Sequence, residues 1–135
     1  MSHHLLLIKD DPTEAELAKL YLQRLAPDLA VTHLTDGRAF LEYCLGDPPP
    51  GVSLAILDLQ LHAMGGLATL EALREKKQRL PYPILILSPS TDPGQISRAY
   101  ELGASGFVTK SVGSEEYRKV LKHILDFWIS TNRVP

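Results

Sequence analysis

Three stretches of this chain are apolar without a break: Leu5-Leu6-Leu7-Ile8, Leu54-Ala55-Ile56-Leu57 and Pro83-Ile84-Leu85-Ile86-Leu87. A strand with one wet face alternates apolar and polar residues, so short unbroken runs belong to strands covered on both faces. Such strands lie in parallel sheets, whose connections must cross over and usually do so as helices. The segments between the runs therefore have to supply helices.

They do. Asp11-Pro12-Thr13-Glu14 reads as a helix start: Asp11 can cap, proline suits the first helical position, and Glu14 stands where a capping box wants an acid. Ala15, Ala18, Leu22 and Leu25 follow at helical spacing, and Pro27 ends that helix. Ala30–Leu34 is a weaker strand, interrupted by Thr32 and His33; Asp36 then caps a helix carrying Phe40, Leu41, Cys44 and Leu45, stopped by Gly46. Gly65-Gly66 leads into a helix with Leu67, Leu70 and Leu73 inward, and Asp92-Pro93 opens another through Ile96, Ala99 and Tyr100 to Gly103. Gly106-Phe107-Val108-Thr109 is the fifth strand. Ser114 is expected to cap the last helix, whose apolar face is Tyr117, Val120, Leu121, Ile124 and Trp128. Alternating strands and helices make an α/β fold with helices on both faces of the sheet.

Composition narrows the function. A chain of 135 residues with 44% apolar and 22% charged residues suits one globular domain, expected to span residues 1–135. A net charge of −2 with no basic stripe argues against nucleic acid as a partner. No run approaches the length of a membrane span, and Cys44 as the only cysteine excludes an internal disulfide and fits the cytoplasm.

Ligand chemistry in such folds gathers at the carboxyl ends of the strands. There the chain places Lys9-Asp10-Asp11, Asp58, Ser88 and Lys110, each directly after an apolar run. One aspartate after a strand is usually a turn residue; the combination suits phosphoryl transfer to a carboxylate. A carboxylate nucleophile forms an acyl phosphate, provided positive charge offsets the incoming anion. A lysine supplies a point charge, a hydroxyl a hydrogen bond, and a hard divalent cation the rest.

With these residues the chain resembles the receiver domains of two-component response regulators. The likeness rests on Leu7-Ile8-Lys9-Asp10-Asp11-Pro12, Leu57-Asp58-Leu59-Gln60-Leu61 with Gly66-Leu67, Leu87-Ser88, and the run from Gly103 to Lys110, and it covers essentially the whole chain. The resemblance implies a flavodoxin-like doubly wound sheet of five parallel strands, order 2-1-3-4-5, with five helices. It implies Asp58 as phosphoacceptor, Lys110 as the phosphate-contacting lysine, Ser88 as the switch hydroxyl and Phe107 as the switch aromatic. Asp10, Asp58 and the Gln60 backbone carbonyl would ligate magnesium or manganese. Asp36-Gly37, the segment from Ala99 to Ala104 and the Phe127-Trp128 tail are most similar to single-domain regulators partnered with bacterial phytochrome histidine kinases. That resemblance implies a sensor kinase as partner, no output domain, and a homodimer through the C-terminal region.

Departures from the pattern sharpen the expectation. Receiver domains usually set two acids after the first strand, and here the first is Lys9. Magnesium is then expected to bind weakly; alternatively Lys9 pairs with Asp10 or Asp58 and imitates the cation, or it points to solvent while Asp11 moves in. Ser111 follows Lys110 where a cis proline is usual, so a trans bond is expected. Pro89 offers no N–H to a phosphoryl oxygen, and His62 stands where proline is common. A working receiver is favoured over a pseudo-receiver that acts as a phosphorylation-independent interaction module. A haloacid-type phosphatase fits poorly, because Gln60 stands where it would need a second aspartate. His3-His4 is read as a frayed terminus and Cys44 as core packing, with Phe127-Trp128-Ile129 either core or a dimer contact.

Overall fold

The computed structural model describes residues 3–46, 51–61, 64–76, 80–109 and 113–132. Strands β1 (His4–Ile8), β2 (Ala30–Leu34), β3 (Val52–Asp58), β4 (Ile84–Ser88) and β5 (Gly106–Thr109) form one parallel sheet in the order β2-β1-β3-β4-β5. Helices α1 (Pro12–Leu25), α2 (Gly37–Leu45), α3 (Gly66–Glu75) and α4 (Pro93–Glu101) connect successive strands, and α5 (Ser114–Ile124) follows the last. This is the doubly wound arrangement expected from the unbroken apolar runs.

Side-chain alternation within those runs sorts the core into two layers. Leu6, Ile8, Ala55, Leu57 and Ile86 face Phe40, Cys44, Leu70, Leu73 and Ala99 of α2, α3 and α4. Leu5, Leu7, Leu54, Ile56, Leu85 and Leu87 face Ala18 and Leu22 of α1 and Tyr117, Leu121 and Ile124 of α5. Each such leucine or isoleucine, essentially removed from water, contributes about 1.5–3 kcal/mol of transfer free energy. That is why the runs 5–8, 54–57 and 84–87 carry no polar residue.

Three helix starts are as expected: the carboxylates of Asp11, Asp36 and Asp92 accept backbone N–H bonds from the first turns of α1, α2 and α4. The start of α5 differs, since Gly113, at φ 100°, takes the cap position and Ser114 lies inside the helix. A positive φ suits glycine, which lacks the Cβ that makes this region costly. The N-terminal histidines are not frayed: His4 opens β1, its ring Nε2 2.6 Å from Thr32 Oγ1, while His3 Nδ1 lies 3.0 Å from Ser53 Oγ. Neighbouring strands on both sides fix them. Tyr100 and Leu45 are about half exposed.

The last helix also changes character. Beyond Ile124 it widens into a π-helical stretch, Leu125–Thr131, with the Asn132 N–H donating to the Phe127 carbonyl at 2.6 Å. Trp128 then packs toward Gly106, where an added Cβ would stand 3.1 Å from the indole and 2.6 Å from Leu85 Cδ1. Ile129 is buried, whereas Phe127 is exposed and meets Trp128 edge-on at 5.0 Å.

Candidate functional site

The strand register assembles the site. Ile8 pairs with Leu57, Asp58 with Leu87, and Ser88 with Thr109, so the residues at or just after these strand ends share one edge of the sheet. Lys9 follows Ile8 as Asp58 follows Leu57, which sets the two side by side. Ser88 closes β4 and is fully buried; Phe107 lies opposite Ile86 on β5, partly buried against the core. Lys110, Ser111 and His62 lie outside the described residues.

Lys9 is the unexpected centre of this edge. Only 2% of it is exposed, and its ammonium lies 3.1 Å from Asp58 Oδ2 and 3.3 Å from Glu14 Oε2. It does not point to solvent. Asp11 does not move in either: it is exposed, and its carboxylate caps α1 by accepting from Thr13 and Glu14. Of the alternatives open to Lys9, pairing with Asp58 is observed. Backbone contacts fix its position, the Lys9 N–H donating to Leu34 carbonyl at 3.1 Å and the Lys9 carbonyl lying 2.6 Å from His33 Nε2. A carbonyl only accepts, so that ring nitrogen carries the proton.

The Asp58 carboxylate is held from two directions. Asp58 is 7% exposed, with Oδ1 accepting from the Gln60 N–H at 3.1 Å and Oδ2 facing the Lys9 ammonium. Gly66 lets α3 begin immediately against this loop, since a Cβ there would stand 2.7 Å from the Asp58 carbonyl oxygen. The Ser88 hydroxyl accepts from the Ser90 N–H at 3.1 Å, across an exposed Pro89. The phenol of Tyr117 on α5 sits in reach of these charges. Burial raises its pKa; the Lys9 ammonium opposes that rise, and the Glu14 and Asp58 carboxylates add to it.

Reading residues one at a time missed three participants. Glu14 was expected only as a capping acid, His33 only as an interruption of β2, and Tyr117 only as core. Their roles depend on α1, β2 and α5 converging on one lysine, which no local spacing announces.

A divalent cation fits this donor set poorly. The position beside Asp58 Oδ2 is taken by an ammonium, and a hard dication would have to enter against that charge. Among the described residues no group of three or more aspartate, glutamate, histidine or cysteine side chains is arranged to hold a metal. No described helix is long and apolar enough to cross a membrane.

Comparison with known proteins places this geometry. The family model for the response regulator receiver domain matches residues 5–122. The chain is 27% identical over 134 residues to a probable methanogenesis regulatory protein, FilR2, of Methanothrix harundinacea, covering 97% of this chain and 86% of that protein. It is 24% identical to the response regulator Rcp1 of Synechocystis, covering 97% of this chain and 92% of that one. The manganese-bound structure of Rcp1 superposes with a TM-score of 0.82, over 98% of this chain and 99% of that one, at 24% identity. The phosphorylated cyanobacterial phytochrome response regulator RcpA gives a TM-score of 0.86, over 100% and 99% of the two chains, also at 24% identity.

Proposed function

Because the chain belongs to the response-regulator receiver-domain family, we propose that it is a phosphoacceptor switch of a two-component phosphorelay, taking a phosphoryl group from a histidine kinase onto Asp58. The observation that carries this reading is the buried Asp58 carboxylate at the carboxyl end of β3, held between a backbone N–H and an ammonium. Two contacts orient the nucleophile and leave the chemistry to positioning and charge. The carboxylate attacks phosphorus, the bond to the donor breaks, and the leaving group departs with the electron pair. Lys110 would contact a phosphoryl oxygen, Ser88 would turn its hydroxyl to another, and Phe107 would change rotamer as that hydroxyl moves. Such a residue pair converts a local charge into a new docking surface.

Magnesium or manganese, if held at Asp10, Asp58 and the Gln60 carbonyl, would bind weakly, since Lys9 must first give way. The manganese-bound Rcp1 neighbour supports the class of ion, and the phosphorylated RcpA neighbour supports phosphorylation as the signal. The RcpA neighbour, a phytochrome response regulator, supports a phytochrome-type sensor kinase as partner. We further read the chain as a cytoplasmic receiver that acts through protein partners rather than nucleic acid, with the exposed Phe127 available for a homodimer contact. A second reading has one observation in its favour: the Lys9–Asp58 ion pair could lock the acceptor, making a pseudo-receiver that works without phosphorylation.

Acetyl phosphate with magnesium, followed by intact mass, separates the two. A gain of one phosphoryl group, absent in Asp58→Asn, supports the switch. No gain from acetyl phosphate or from a phosphorylated histidine kinase supports the pseudo-receiver.

A further inference from the structure

A phosphoacceptor site needs positive charge beside the carboxylate before an anionic phosphoryl group can approach. In this chain that charge is covalently supplied. The Lys9 ammonium is buried, lies 3.1 Å from Asp58 Oδ2, and is steadied from the solvent side by Glu14 Oε2 at 3.3 Å. Its backbone is clamped to β2 through Leu34 and His33. A charge so fixed needs no solvent reorganisation when the reaction occurs, and it lies next to the oxygen from which the acyl phosphate grows.

We propose that Lys9 is a catalytic residue that stands in for the divalent cation, so that Asp58 is phosphorylated without metal. This rests on the reading of Asp58 as phosphoacceptor. With acetyl phosphate the Asp58 carboxylate oxygen attacks phosphorus, the phosphorus–oxygen bond to acetate breaks, and acetate leaves with the bonding pair. No proton, oxidant or reductant is exchanged. The ammonium moves from pairing with carboxylate to donating to a phosphoryl oxygen, and Glu14 keeps it from swinging into solvent.

The test uses the whole chain with acetyl phosphate in EDTA and in excess magnesium, read by intact mass over time. The inference expects the two rates to agree within about threefold, and Lys9→Met to lose about a hundredfold in EDTA, the size of removing one preorganised donor from such a site. Lys9→Asp, which restores an acidic pair, is expected to react only with magnesium. Manganese added to the unmodified chain should keep its free-ion electron paramagnetic resonance signal undiminished, whereas Lys9→Asp should reduce it. That measurement on the parent stands even if the variants fold poorly. Phosphorylation of the parent in magnesium alone, or tight manganese binding by it, overturns the inference and leaves the phosphoacceptor reading intact. Absence of phosphorylation with every donor and metal overturns both.

Discussion

Two buried polar clusters lie at opposite ends of the sheet and solve one problem differently. At the carboxyl end, Lys9 and Asp58 meet as opposite charges 3.1 Å apart. At the amino end, Cys44 of α2 lies 3.8 Å from the Tyr82 hydroxyl just before β4, near Tyr43. Burial pushes the Cys44 thiol up to about 11 and raises Tyr82 further, so both remain protonated. One cluster keeps charge by pairing it; the other avoids charge altogether. Desolvation penalises only the ionised form, so a buried group must do one or the other. The paired cluster holds the proposed acceptor, and the neutral cluster lies in the core.

The comparison breaks most visibly at Lys9. Lys9→Met leaves the Asp58 carboxylate buried with its cation gone, and the expected loss of stability is about 3–5 kcal/mol in urea denaturation. A loss near zero would mean that water reaches Asp58 and the pair is not truly enclosed.

At the neutral end the effect is smaller and depends on pH. The Cys44 pKa is raised in the folded chain from an ordinary value of 9.0 to about 11. The folded state therefore holds this proton more tightly, and its contribution is complete below pH 9.0 and lost as pH rises toward about 11. Alkylation of the native thiol at pH 8 should be slow and should accelerate on unfolding. Fast native alkylation would show the cluster open to solvent.

The smallest effect is expected at Glu14, whose side chain is 48% exposed. Glu14→Gln should cost less than about 1 kcal/mol and fade with added salt, because exposed ion pairs are weak and screened. A larger cost would mean that Glu14, rather than Asp58, is the principal partner of Lys9.

Much of this architecture was legible. The unbroken runs around Leu6, Ile56 and Leu85 required cover on both faces, and Asp11, Asp36 and Asp92 announced three helix starts. The strand ends pointed to Asp58 and Ser88, and Lys9 stood out as a lysine in place of an acid. Where its ammonium goes was not legible, because it depends on the register of Ile8 against Leu57 and on Glu14 arriving from α1. The π-helical widening after Ile124 was equally hidden. Helical spacing placed Trp128 on the inner face, but the close fit against Gly106 and the exposure of Phe127 follow from tertiary packing.

The most direct test of the account is a double-mutant cycle on Lys9 and Asp58, combining Lys9→Met with Asp58→Asn and reading unfolding free energies in urea. The account predicts that the double variant is more stable than the sum of the single losses allows, with a coupling of about 0.5–3 kcal/mol, because removing both charges leaves neither buried alone. Strict additivity of the two losses would contradict it, showing that the ammonium and the acceptor carboxylate do not compensate one another.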